Sequence, residues 1–350
     1  MAHGGDVYAF DRNMIDFSAN LNPLGLPETV RDVIRGFADG VPRYPDPFCR
    51  ALKKALSVHE NIPEEMIVCG NGAADILYRL IFFQKPKRAL ILAPSFSEYE
   101  TALRLTDCEI IRYPLQEEND FAIQDDIAES IVSPKNGVDM AFLCNPNNPT
   151  GCLTPKALLE RIGARCKAGR TLLLIDECFL DFVEDGAALS MKPFLRAGAP
   201  VVILKAFTKF YAMAGLRLGY ALCAPETAAG IARYGAPWSV SALAQSCGAA
   251  ALNDPAYAAQ THAIIAPERE YLRAELSGMG FHIFPSAANY LFFKTNFRDL
   301  RERLIRRGIL IRDCGDYPGL TAGFYRIAVR NHAENAAFAA TLRQEITGRG

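Results

Sequence analysis

The chain has 350 residues, enough to bury a large core and to divide into two lobes. Its 38 lysines and arginines against 39 aspartates and glutamates give a net charge of −1, which leaves no electrostatic case for nucleic acid or an anionic membrane as partner. No apolar run reaches the roughly 18 residues that span a bilayer, and Met1-Ala2-His3-Gly4-Gly5 lacks the apolar core of a signal peptide, so a cytoplasmic protein is expected.

The first 42 residues read as an arm. Ile15-Asp16-Phe17-Ser18-Ala19-Asn20-Leu21-Asn22-Pro23-Leu24-Gly25 is rich in turn formers and too short to bury a core of its own. Helical spacing follows from Pro27 to Ile34, and the three prolines of Val41-Pro42-Arg43-Tyr44-Pro45-Asp46-Pro47 mark the entry to a main domain, expected over 43–240. Within it, apolar runs at Met66-Ile67-Val68-Cys69, Ala89-Leu90-Ile91-Leu92, Met140-Ala141-Phe142-Leu143, Leu172-Leu173-Leu174-Ile175 and Val201-Val202-Ile203-Leu204 alternate with helix-length segments. That alternation predicts an α/β fold with a mostly parallel sheet covered on both faces.

A long helical region runs from Ala242 to about Leu276, interrupted at Pro255. Beyond it, strands are expected around Phe281, Tyr290 and Arg326, with helices from Arg298 to Arg307 and from Glu334 to Ile346. This predicts a smaller α+β domain over 241–350. The ten cysteines are scattered without a C-x-x-C pair, and several sit inside apolar runs, so free thiols are expected and no disulfide framework or metal site.

In an open parallel sheet, ligands sit beyond the carboxyl ends of the strands. The polar residues that follow each run form a coherent set: Gly70-Asn71-Gly72 after Cys69, Pro94-Ser95-Phe96 after Leu92, Asn145-Pro146-Asn147-Asn148-Pro149-Thr150-Gly151 after Leu143, Asp176-Glu177 after Ile175, and Thr208-Lys209 after Leu204. A lysine partly removed from water becomes a nucleophile toward a carbonyl. Pyridoxal phosphate (PLP) offers such a carbonyl, and the set matches its other needs. Asp176 suits the pyridine nitrogen, Asn148 the phenolic oxygen, Phe96 the ring face, and Gly72, Ala73 and Ala74, at a helix start, the phosphate. Taken singly, each residue also reads as a cap, a turn or core packing. A dinucleotide reading of Gly70-Asn71-Gly72 fails because Asp75 stands where a third glycine is needed.

Order and spacing together, from Gly70-Asn71-Gly72 through Asn148-Pro149-Thr150-Gly151 and Asp176-Glu177 to Lys209 and Gly215-Leu216-Arg217-Leu218-Gly219, resemble the fold-type I aminotransferase family of PLP enzymes over nearly the whole chain. The resemblance implies that Lys209 bonds the cofactor carbonyl and that Thr208 and Arg217 hold its phosphate. It also implies that Tyr44 reaches the cofactor phosphate of a neighbouring subunit in a homodimer, and that Arg326 pairs with a substrate carboxylate.

Two branches of the family are similar, one of threonine-phosphate decarboxylases and one of histidinol-phosphate aminotransferases. His3-Gly4-Gly5, the segment from Asp16 to Gly25, Lys209-Phe210-Tyr211-Ala212 and Phe179 resemble the decarboxylase branch, from which Asp6 and Ala206 depart. The expected substrate is then a small phosphorylated amino acid, bound by His3, Asn20, Arg326 and Arg330. Trp238, Asn289 and Tyr290 fit either the site or the core.

Overall fold

The computed structural model describes residues 4–132 and 137–348. Seven strands form the main sheet, in spatial order Ile67–Gly70, Gly219–Leu222, Val201–Ala206, Leu172–Asp176, Met140–Cys144, Arg88–Ala93 and Glu109–Pro114. Only Gly219–Leu222 runs against its neighbours. The central strands are buried on both faces, which explains why they are continuous apolar runs without alternation.

One core fills the face that carries Leu173, Ile175, Val201 and Ile203, while the opposite face packs Leu174, Val202 and Leu204 against Ile76 and Leu80 of the helix Ala73–Gln84. The expected strands are present within a residue or two. Gly219–Leu222 and Glu109–Pro114 are additional; the first follows the lysine segment, where the sequence reading assigns no strand.

The helical region after Ser241 is two helices, Ala242–Ala251 and Pro255–Gly278, and the break has a local cause. The side chain of Asp254 accepts from the Tyr257 N–H, and Pro255 takes the first turn, where its missing N–H costs nothing. The first of these helices packs on Glu28–Gly36 and Arg50–Glu60, and its Ala244 and Cys247 belong to the core beneath the main sheet.

A second, antiparallel sheet orders Arg312–Asp313, Phe324–Ala328, Tyr290–Lys294 and His282–Ile283, and the helix His332–Thr347 covers it with Phe338 and Leu342.

The arm joins the two sheets. Ile15–Asp16 pairs in parallel with Ile309–Leu310, and the Ala328 N–H donates to the Phe17 carbonyl at 2.8 Å. Phe17 is fully buried against Phe338, a contribution of roughly 2 kcal/mol from apolar burial. Five residues later the Asn22 N–H donates to the Lys209 carbonyl at 3.1 Å, and the Asn22 side chain donates to the Phe210 carbonyl and the Thr261 hydroxyl. The arm therefore fixes the lysine segment against the second sheet. Among the described residues, no helix is long and apolar enough to cross a membrane.

Candidate active site

Lys209 lies on the four-residue helix Phe207–Phe210, directly after the strand Val201–Ala206, and faces a cavity of about 240 Å³ at the carboxyl ends of the parallel strands. Burial pushes its amine down to about 8, and the nearby guanidinium groups of Arg326 and Arg217 push in the same direction. A larger share of the amine is thus neutral near pH 7 than for a solvated lysine, which suits a nucleophile.

Asp176, at the end of its strand, is 6% exposed. One carboxylate oxygen accepts from the Tyr99 hydroxyl at 2.6 Å and the other from the Cys178 N–H at 2.9 Å. Burial first, and then the Asp176 charge, hold the Tyr99 phenol well above its ordinary range, so it stays a donor. Phe96 lines the cavity above this pair and meets the Tyr99 ring edge-on.

On the far side, Arg326 spans two elements: its Nη1 donates to Asn148 Oδ1 and its Nη2 to the Ser18 carbonyl of the arm at 2.8 Å. Its Nε is buried without a hydrogen-bond partner in the protein, as are both amide atoms of Asn20.

Ala73 and Ala74 open the helix Ala73–Gln84 at one end of the cavity, with Thr208 and Arg217 beside them. Gly72 caps that helix at φ +88°, where a Cβ would lie 2.7 Å from Arg217 Nη2. The absent side chain lets the guanidinium and the first-turn N–H groups converge on one space, a donor set for a phosphate. Together with the unpartnered donors of Arg326 and Asn20 and an aromatic face opposite a buried carboxylate, the residues present fit pyridoxal phosphate carrying an anionic substrate.

The other expected residues stand apart. Tyr44 is 82% exposed and packs against the exposed Trp238, the rings tilted with centroids 4.9 Å apart. The Arg330 guanidinium is engaged by both carboxylate oxygens of Glu334 and by the Asp16 carbonyl, and it does not line the cavity. Asn289 and Tyr290 are fully buried; the Tyr290 hydroxyl donates to the Asn147 carbonyl, and its ring lies under the Arg326 guanidinium. His3 lies outside the described residues.

Sequence reasoning missed Arg312. It is 8% exposed, lines the cavity with Arg326, pairs with Asp316 and lies over the Tyr317 ring. The signal was present, because Arg312 directly follows the apolar Ile309-Leu310-Ile311, the same rule that found Lys209 and Asp176 in the first sheet.

The family model for aminotransferase class I and II matches residues 12–342. The chain is 37% identical over 358 residues to the threonine-phosphate decarboxylase of Salmonella typhimurium, covering 99% of this chain and 97% of that protein. It is 30% identical over 338 residues to the histidinol-phosphate aminotransferase of Moorella thermoacetica, covering 95% and 86%. Among solved structures, the histidinol-phosphate aminotransferase of Sinorhizobium meliloti in complex with pyridoxal-5'-phosphate superposes with a TM-score of 0.85 at 23% identity, covering 97% of this chain and 93% of that one. The chain belongs to the aminotransferase class I and II family.

Proposed function

We propose that this chain is a PLP-dependent decarboxylase that converts L-threonine O-3-phosphate to (R)-1-amino-2-propanol phosphate. The observation that carries the reading is the pair Arg326 and Arg312 in one cavity with Lys209, two buried guanidinium groups for a substrate that bears a carboxylate and a phosphate. The full-length likeness to a threonine-phosphate decarboxylase supports it.

When bound, pyridoxal phosphate supplies a carbonyl for covalent attachment and a ring that withdraws electrons from the substrate α-carbon. Lys209 would attach it, and the first-turn N–H groups of Ala73 and Ala74, the Thr208 hydroxyl and Arg217 would hold its phosphate. The Asp176 carboxylate would serve the ring nitrogen, Asn148 the phenolic oxygen, and Phe96 the ring face. Arg326, braced by Asn148 and Ser18, would bind the substrate carboxylate and fix its orientation at the α-carbon. Arg312 and Asn20 take the substrate phosphate. Once the substrate amine has replaced it on the cofactor carbonyl, the freed Lys209 amine would hold the proton that the α-carbon takes up when CO₂ leaves.

The exposed Val41, Tyr44 and Phe48, together with Trp238, make an apolar surface that supports a homodimer in which Tyr44 reaches the partner's cofactor phosphate. The second reading is amino transfer from histidinol phosphate, favoured by the 30% identical relative.

Incubating PLP-loaded protein with O-phospho-L-threonine separates the two readings. CO₂ release that needs no amino acceptor supports the decarboxylase. Absence of CO₂ with amino exchange between histidinol phosphate and 2-oxoglutarate overturns it.

A further inference from the structure

Asp75 lies in the first turn of the helix whose N-terminus opens the cavity, where a carboxylate adds negative charge beside the space meant for a phosphate. Its partners explain why it is tolerated. Asp75 Oδ2 accepts from the Asn71 N–H at 2.7 Å and so closes the Gly70-Asn71-Gly72 turn. Arg79, one helical turn on, meets the same carboxylate with both arms of its fork, Nε at 2.8 Å from Oδ1 and Nη2 at 2.5 Å from Oδ2.

Arg79 is 6% exposed and is itself held. Its Nη2 also donates to the Ser239 hydroxyl at 2.8 Å, and a Cβ on Gly235 would lie 2.4 Å from its Nη1. A guanidinium built this tightly into the protein is a fixed countercharge.

We propose that Asp75 and Arg79 are positioning residues for the cofactor phosphate: the carboxylate shapes the turn, and the buried guanidinium cancels its charge so that the same helix end accepts a dianion. The inference rests on the PLP reading above. Its consequence is a charge dependence. Arg79→Gln leaves the Asp75 carboxylate uncompensated beside the phosphate, and Asp75→Asn in the same chain removes that repulsion.

The test compares the affinity of the full-length protein for pyridoxal phosphate and for pyridoxal, which lacks the phosphate, by absorbance titration. Arg79→Gln is expected to lower the preference for the phosphorylated form by roughly tenfold. Asp75→Asn added to Arg79→Gln is expected to restore most of it, and Arg79→Lys, which keeps the charge, to retain more of it than Arg79→Gln. Equal loss of both ligands in Arg79→Gln, or no recovery in the double variant, overturns the proposal. If Arg79→Gln does not fold, Asp75→Asn alone decides: the unmatched Arg79 charge should then raise the preference for the phosphorylated form, and an unchanged preference overturns the proposal. A parent protein that binds neither ligand refutes the PLP reading itself.

Discussion

Gly219 begins the one reversed strand of the main sheet, paired with Gly70 on one side and Ala206 on the other. A Cβ there would lie 2.4 Å from the Ala73 nitrogen, 2.7 Å from the Gly72 carbonyl carbon and 2.9 Å from the Ala73 Cα. All three are backbone atoms, so no side-chain rotation relieves the clash, and either the strand or the phosphate turn must move. Overpacking of this kind costs about 1–3 kcal/mol.

Gly215, four residues earlier in the same segment, is the internal control, because a Cβ there meets nothing within 4 Å. Gly215→Ala should be neutral or gain up to about 1 kcal/mol through the unfolded chain. Urea unfolding of both cofactor-free variants should therefore differ by roughly 1–4 kcal/mol, with Gly219→Ala the weaker. Gly219→Ala should also bind pyridoxal phosphate less tightly, since Ala73 opens the helix that receives the phosphate. Equal stability and equal affinity in the two variants would refute the reasoning that Gly219 is fixed by contact with the turn.

Glu177 is fully buried, and burial pushes its carboxyl up to about 7 from the usual 4.5. The unfolded chain loses this proton first as pH rises, so stability falls between about pH 4.5 and 7 and levels off above. Glu177→Gln should be more stable than the parent by roughly 1–3 kcal/mol at pH 8, with the gap closing toward pH 5; a gap that does not change with pH contradicts this. Arg312→Gln should reduce the discrimination between O-phospho-L-threonine and L-threonine by about tenfold to a hundredfold in kcat/KM, and an unchanged ratio would remove Arg312 from the phosphate site. The paired change Tyr44→Ser and Trp238→Ser should shift the protein from dimer toward monomer in sedimentation equilibrium. A parent protein that sediments as a monomer contradicts the shared site.

The parallel strands were legible because burial on both faces leaves uninterrupted apolar runs, and part of the cavity lining was legible because Phe96, Asn148, Asp176 and Lys209 follow those runs. Gly219–Leu222 was not legible, since its four residues Gly-Tyr-Ala-Leu are too short and too mixed to stand out as an apolar run. Arg312 escaped for a similar reason: Ile309–Leu310 and Arg312–Asp313 are two-residue strands in different sheets, too short for periodicity to register. Arg330 follows an apolar strand, as Arg312 does, yet its charge is taken up by Glu334 four residues on. The i, i+4 spacing on a helix start would have suggested that pairing.

The family resemblance implied a carboxylate partner for Arg326, but its contacts with Asn148 and the Ser18 carbonyl depend on three segments far apart in the chain and were not legible.

The central claim is that the bond broken at the substrate α-carbon is the one to the carboxylate, and a solvent-isotope measurement reads that bond directly. PLP-loaded protein incubated in deuterium oxide with O-phospho-L-threonine should yield aminopropanol phosphate with one deuterium at the former α-carbon, while recovered substrate keeps its original hydrogen there. Recovered substrate that carries α-deuterium, with no aminopropanol phosphate formed, would mean that the proton leaves instead and that the site performs amino transfer.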